Sequence, residues 1–218
     1  HIYRTGSEVI PLKYDEADWF YSDSVRVSLN GKWGYIDYTG KEIVPLKYDE
    51  ADSFSYDNLI RVALNGKYGY IDQTGKEIIP LKYDKAEGFS GDLARVSLNG
   101  KWGYIDETDK EITPLKYDEA NDFYSSMARV ASNSKWGYID ETGKEITPLK
   151  YDDADDFSDD MARVKLDGKW GYIDKTGREV IPLKYDEAED FHFDSARVNL
   201  DGKWGSVDRN GREQGFDA

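Results

Sequence analysis

Acidic residues recur through this chain at fixed spacing, and they pose its first chemical question. Asp106 and Glu111 form a carboxylate pair that could divide the labour of general acid and general base, and counterparts of both recur along the sequence. Arg95, Lys101, Asp106 and Asp118 likewise have counterparts in all six units of a repeat. That repetition argues against catalysis. An active site needs one asymmetric constellation, whereas a fold motif needs the same bond in every unit. The expected roles are turn hydrogen bonds for the Asp side chains and Arg–Asp pairing between strands. The run DDADDFSDD at 152–160 offers oxygen ligands suited to Ca²⁺, but it lacks the central Gly and terminal Glu of an EF-hand loop and reads as a solvated turn. His1 and His192 are too few and too far apart for a zinc site, and there is no Cys. Nucleophilic catalysis finds neither a thiol nor a GxSxG elbow. The glycines of WGYIDYTG belong to hairpins with no helix after them, so they are no phosphate loop. We expect no enzyme, no catalytic residues, no metal and no cofactor.

The elements that would position these groups follow from a tandem repeat. GKWGYID at Gly31 returns as GKYGYID, GKWGYID, SKWGYID, GKWGYID and GKWGSVD, the last from Gly202. Prolines fall at Pro11, Pro45, Pro80, Pro114, Pro148 and Pro182, intervals of 34 or 35 residues. The extra residue lies in FSYDNLIRV, compared with FSGDLARV elsewhere, which marks a loop. Within Leu81 to Pro114, Asn-Gly joins ARVSL to KWGYID and a second tight turn leads to KEITP, so two hairpins in series make a meander. The preceding KYDKAEGF reads as a first strand or one helical turn, and we favour the strand. ARVSL alternates as a half-buried strand does. KWGYID does not, since Tyr104 and Ile105 take opposite faces and both are large and apolar, so neighbouring sheets are expected to stack on it. The central Gly34, Gly69, Gly103, Gly137, Gly171 and Gly205 are each expected to be the floor for an aromatic of the adjacent repeat. KEITP, ending in a residue without N–H, is expected to be the outer strand.

The predicted fold class is all-β: six tandem antiparallel meanders in one domain over 1–218. IYRTGSEVIP at the start is an outer strand with no hairpin before it, and the last hairpin has no clear outer strand after it. These leftovers would complete one another in a six-bladed β-propeller-like ring. The alternative is an open β-solenoid of three-stranded units, which suits a 34-residue repeat more comfortably than a four-stranded blade does.

Composition narrows the functions. The net charge of −15 argues against nucleic acid, because phosphate binding needs Lys and Arg to displace counterions. Apolar residues make up only 39% of the chain, so the bulk of the core must come from seventeen Tyr, eight Phe and six Trp. No window approaches the roughly 18 apolar residues of a membrane span, and the N-terminus carries no signal-peptide pattern. No membrane insertion is expected.

The linked pattern GKWGYIDxTGKEIxPxKYDxAxxF resembles the bacterial WG-repeat family, also known as KWG repeats, over nearly the whole chain. The resemblance implies a β-rich tandem array without a shared catalytic activity, often at the bacterial surface. Departures are small: Tyr68 replaces a Trp, Ser134 and Asp109 replace turn glycines, and Ser206 replaces a Tyr. A weaker local similarity, to choline- and glucan-binding repeats, points to aromatic surfaces.

Variation between units carries the functional signal. The segments DWFYSDS, DSFSYDNLI, EGFSGDL, NDFYSSM, DDFSDDM and EDFHFDS differ where the scaffold does not. Trp19, Tyr21, Tyr56, Tyr124, His192 and Phe193 are the expected contacts for a protein partner or a glycan. On the plainer reading some aromatics here, the recurring Phe20, Phe54, Phe89, Phe123, Phe157 and Phe191 included, simply complete the core, and for Trp19 and Tyr21 the two readings weigh equally. The leading reading is a noncatalytic scaffold that binds protein through these loops. The alternatives are a glycan or cell-wall module with aromatic platforms, and an enzyme with its site in a central channel.

Overall fold

The computed structural model describes residues 13–18, 24–53 and 59–216. Every regular element among them is a strand. The chain divides into two compact units, His1–Leu115 and Lys116–Ala218.

The first unit carries three antiparallel sheets, each a four-stranded meander in chain order, with the last two residues of the third sheet's outer strand lying past Leu115. They are β1 (Glu16–Ala17), β2 (Ser24–Leu29), β3 (Lys32–Asp37) and β4 (Glu42–Tyr48); β5 (Glu50–Ala51), β6 (Leu59–Leu64), β7 (Lys67–Asp72) and β8 (Glu77–Tyr83); and β9 (Lys85–Ala86), β10 (Leu93–Leu98), β11 (Lys101–Asp106) and β12 (Glu111–Tyr117). The second unit repeats the plan. Its sheets are β13 (Glu119–Ala120), β14 (Met127–Ser132), β15 (Lys135–Asp140) and β16 (Glu145–Tyr151); β17 (Asp153–Ala154), β18 (Met161–Leu166), β19 (Lys169–Asp174) and β20 (Glu179–Tyr185); and β21 (Glu187–Ala188), β22 (Ser195–Leu200), β23 (Lys203–Asp208) and β24 (Glu213–Gln214). Each repeat therefore has four strands, not three. The short repeat accommodates them because the first strand is only two residues long.

The turns explain the hairpins. Asn30 and Gly31 hold φ of 51° and 72°, the left-handed pair whose twist matches that of the flanking strands. At the second turn the Asp37 carboxylate accepts hydrogen bonds from Thr39 N at 2.8 Å, Thr39 Oγ1 at 2.5 Å and Lys41 N at 3.1 Å. Asp72, Asp106 and Asp140 do the same in their turns.

The outer strands correct two expectations. They do not end at proline but run through it to the tyrosine of LKY. They also carry a bulge: Trp33 opposes Tyr48 and Tyr35 opposes Val44, so the backbone around Pro45 and Leu46 folds over the single Gly34. A Cβ on Gly34 would lie 2.6 Å from the Val44 carbonyl oxygen and 2.8 Å from Leu46 N. On Gly103 it would lie 2.9 Å from the Thr113 and Pro114 carbonyl oxygens. The glycine is thus the floor for the bulged backbone of its own sheet, not for an aromatic of the next repeat. A β-bulge brings main chain closer than any side chain could sit, and proline fits there because the bulge leaves its missing N–H unneeded. Gly205 differs: the ring of Phe216 takes the nearest place.

The aromatic seam runs through the tyrosine instead. Tyr35, Val44 and Tyr48 of the first sheet pack with Ala51, Ile60, Val62 and Ile71 of the second. Tyr70, Ile79 and Tyr83 of the second pack with Ala86, Phe89, Ala94, Val96 and Ile105 of the third. The neighbours Tyr70 and Ile71 thus enter cores on opposite faces of one strand, which is why KWGYID is buried on both sides. The second unit forms the same interlayers. Burying such a ring is worth about 1.5–3 kcal/mol, against about 1 kcal/mol for one hydrogen bond. Packing therefore dominates the seam, and the polar bonds fix its register.

Those bonds recur. The hydroxyls of Tyr35, Tyr70, Tyr138 and Tyr172 donate to the carbonyls of Asp52, Glu87, Asp155 and Glu189 in the following sheet, at 2.5–2.6 Å. Arg61 Nη1 donates to Ala86 O at 2.7 Å, while its Nε and Nη2 take both oxygens of Asp52. Asp84 accepts from Lys67 of the preceding sheet at 2.5 Å and from Asn99 N of its own hairpin turn at 2.6 Å. The last sheet takes its outer strand from its own repeat, Glu213–Gln214 pairing with Val207 and Ser206. The N-terminal segment expected to complete it, 2–11, lies outside the described residues.

Candidate functional site

In a meander of order β1-β2-β3-β4, the first and third connections share one end of the sheet and the Asn-Gly turns occupy the other. The variable segments are the first connections. In four repeats they close as tight turns with bridges Ser90–Leu93, Tyr124–Met127, Ser158–Met161 and His192–Ser195. Their leading central residues are Gly91, Ser125, Asp159 and Phe193, all at positive φ between 49° and 62°. Glycine, serine and aspartate are unsurprising there. Phenylalanine at φ 57° is not, and its side chain is 86% exposed.

The Phe193 turn is fixed from both sides. Its N–H donates to Asp159 Oδ2 at 3.0 Å, in the turn of the preceding sheet. Its carbonyl accepts from Arg209 Nε at 3.1 Å and Nη2 at 2.7 Å, while Arg209 Nη1 reaches the Asp159 carbonyl at 2.6 Å. The Arg209 guanidinium also lies 5.7 Å from the centroid of the Phe191 ring. Lys175 Nζ pairs with Asp160 at 2.7 Å and holds that carboxyl below its ordinary range. Asp194 beside Phe193 is nearly fully exposed and lies 3.6 Å from Arg209 Nε. The result is a bare ring on a braced turn with an acidic rim.

Of the expected contacts, Tyr124, His192 and Phe193 are exposed. Tyr124 and His192 occupy the same position in their repeats, and the Ser158 turn of the sheet between them separates Tyr124 from Phe193. Trp19, Tyr21 and Tyr56 lie outside the described residues. Among the recurring phenylalanines, Phe89, Phe157 and Phe191 are core: they meet Tyr70, Tyr138 and Tyr172 edge-on with centroids 4.9–5.0 Å apart. Phe123 is half-buried, and Phe20 and Phe54 lie outside the described residues.

Sequence reasoning missed a second variable position at the same end, the x of IDxTG. It is Tyr38, Gln73, Glu107, Glu141, Lys175 and Arg209 in turn. Tyr38 is 60% exposed, and Lys175 and Arg209 are the residues that brace the neighbouring turns. Its signal was one freely varying letter inside a word that is otherwise constant in four of the six repeats.

The acidic run binds within the fold. Asp152 pairs with Lys135, Asp155 with Arg163, Asp156 with Arg129 and Asp160 with Lys175. Among the described residues, no group of three or more His, Cys, Asp or Glu is placed to hold a metal ion, and no helix is long and apolar enough to cross a membrane.

The family model described as "WG containing repeat" matches residues 4–33, 33–68, 68–102, 102–136, 136–170 and 170–204. The chain therefore belongs to the WG-repeat family. No curated protein matches it. Similar solved structures include Hsv2p of Kluyveromyces lactis, with 12% identity, TM-score 0.43 and coverage of 89% of this chain and 74% of that one. A eukaryotic initiation factor shares 10% identity at TM-score 0.49, covering 95% and 66%. PorZ of Porphyromonas gingivalis shares 8% at TM-score 0.37, covering 95% and 33%.

Proposed function

We propose that this protein is a noncatalytic scaffold that binds another protein through the variable turns at one end of its sheets. One observation carries the reading: the constant polar residues are engaged inside the fold, while the variable ones stand at turn tips. Asp106 accepts three hydrogen bonds from its own turn, and the Thr108 hydroxyl foremost holds its carboxyl below the ordinary range, which makes it a poor proton acceptor at neutral pH. A variant carrying Tyr124→Ser, His192→Ser and Phe193→Ser together tests the reading by pull-down from the host extract. A protein captured by the wild type should be lost to this variant and kept by Lys203→Gln at the opposite end. Equal capture by all three would overturn it.

The exposure of Tyr38 and Tyr124 supports a second reading, a glycan module with tyrosine platforms. The tryptophans of the KWG word are less suited to that role, since Arg26 lies 4.3 Å over Trp33 and Arg163 4.6 Å over Trp170. A silent glycan array, with aromatic fluorescence unmoved by cell-wall fragments, removes this reading.

A further inference from the structure

Phe193 is the one exposed phenylalanine among the described residues, and nothing in the fold requires it. The same turn position is filled by Gly91, Ser125 and Asp159 in other repeats, each better suited to positive φ. Burial does not hold it there, since its ring is 86% exposed. Instead, hydrogen bonds from Arg209 and to Asp159 pin the backbone on both sides of the ring. A ring presented this way gives up little conformational freedom when it is covered, which is how an aromatic anchor gains affinity.

The rim decides what covers it. Asp159 and Asp160 stand in the adjoining turn, and Asp194 follows Phe193 directly. Among the described residues two side chains are cationic here, and both are committed: Lys175 to Asp160, and Arg209 to the turn carbonyls and, at 3.6 Å, to Asp194. Three carboxylates against these two cations leave the rim net negative, so an anionic partner would face like charge and an apolar one would leave the excess unanswered. A planar cation suits both features, stacking on the ring face while its N–H edge reaches a carboxylate. Lysine, a compact and strongly hydrated charge, suits the ring less well. The chain already uses this stacking internally, with a guanidinium 4.3–5.3 Å over the rings of Trp33, Trp136 and Trp170.

We propose that the Phe193 turn docks an arginine-bearing cationic segment of a protein partner, the guanidinium lying on the Phe193 ring within the Asp160 and Asp194 rim. The proposal rests on the loop-binding reading and gives it a partner chemistry. Arg209 acts as a positioning residue for the ring.

The whole chain is titrated with fluorescent hexa-arginine and hexa-lysine at one ionic strength, read by anisotropy. Hexa-arginine should bind more tightly. Phe193→Ser should weaken hexa-arginine by about two- to fivefold, the size of an exposed cation–π contact, and hexa-lysine by less. Asp194→Asn should weaken both probes. Arg209→Gln should strengthen hexa-lysine by removing a positive charge while narrowing the preference for arginine, a split that loss of folding would not produce. Equal binding of the two probes, indifference of hexa-arginine to Phe193→Ser, or no binding of hexa-arginine would overturn the proposal. If the pull-down partner is still lost to the triple turn variant, the loop-binding reading survives that failure.

Discussion

The Tyr70 hydroxyl donates to the Glu87 carbonyl oxygen at 2.5 Å, in the sheet that follows its own. The same ring meets Phe89 edge-on with centroids 4.9 Å apart. One side chain thus closes an interlayer core and satisfies a backbone carbonyl at its rim, and Tyr138 and Tyr172 repeat the arrangement.

Tyr70→Phe keeps the ring and removes the donor. It should lower unfolding stability by about 1–2 kcal/mol, the penalty for a carbonyl left without its partner. Urea denaturation should show an earlier midpoint at unchanged slope. An unmoved midpoint would mean that water replaces the hydroxyl at no loss.

Gly103→Val should destabilise by about 1–3 kcal/mol or more, because the added carbons meet backbone that cannot rotate away. The damage should appear in the same sheet: amide exchange should rise first along Glu111–Tyr117, whose peptides lie over the glycine. Exchange rising instead in a neighbouring repeat, with this strand unaffected, would restore the aromatic-floor picture.

Arg61→Lys should cost about 1–2 kcal/mol although charge is conserved. The guanidinium bonds both oxygens of Asp52 and the Ala86 carbonyl at once, 2.7–3.0 Å each, and an ammonium cannot keep that three-way geometry. A thermal midpoint equal to that of the wild type would count against Arg61 as a link between sheets.

Acid should unfold this protein cooperatively. The Thr hydroxyls of their own turns, foremost, hold Asp37, Asp72, Asp106 and Asp140 below the ordinary carboxylate range. Lysines of the preceding sheets do so for Asp49, Asp84, Asp152 and Asp186. A carboxyl depressed in the folded state contributes stability that is present above its unfolded pKa of about 3.9 and lost as pH falls through the folded value. Unfolding below about pH 4 should therefore take up several protons. Thr108→Val should raise the pKa of Asp106 and move the acid midpoint upward, and NMR titration of the carboxyl carbons reads both. Aspartates titrating together at the unperturbed value would contradict the turn assignment.

Much of the fold was legible because it was written six times. Asn-Gly and Thr-Gly mark turns through their backbone preferences, alternation marks ARVSL as a strand, and adjacent Tyr and Ile announce a strand buried on both faces. These are local properties, and repetition averaged away their ambiguity. The first strand was harder to read because two residues carry no periodicity. The turn residues Tyr124, His192 and Phe193 stood out as variable, whereas Arg209 did not, since its partners Asp159 and Phe193 are distant in sequence.

By itself the sequence determined the repeat, its strands and turns, and which positions are free to vary, because each of these rests on a residue's own backbone preference or on its nearest neighbours. Only the tertiary structure decided what faces the glycines, where the tyrosine hydroxyls go, and that Phe193 stands braced and bare. A bulge sets three residues of the outer strand against one glycine, and the turns of successive sheets meet across 34 residues of chain. Such contacts depend on register and stacking, which no short stretch of sequence encodes.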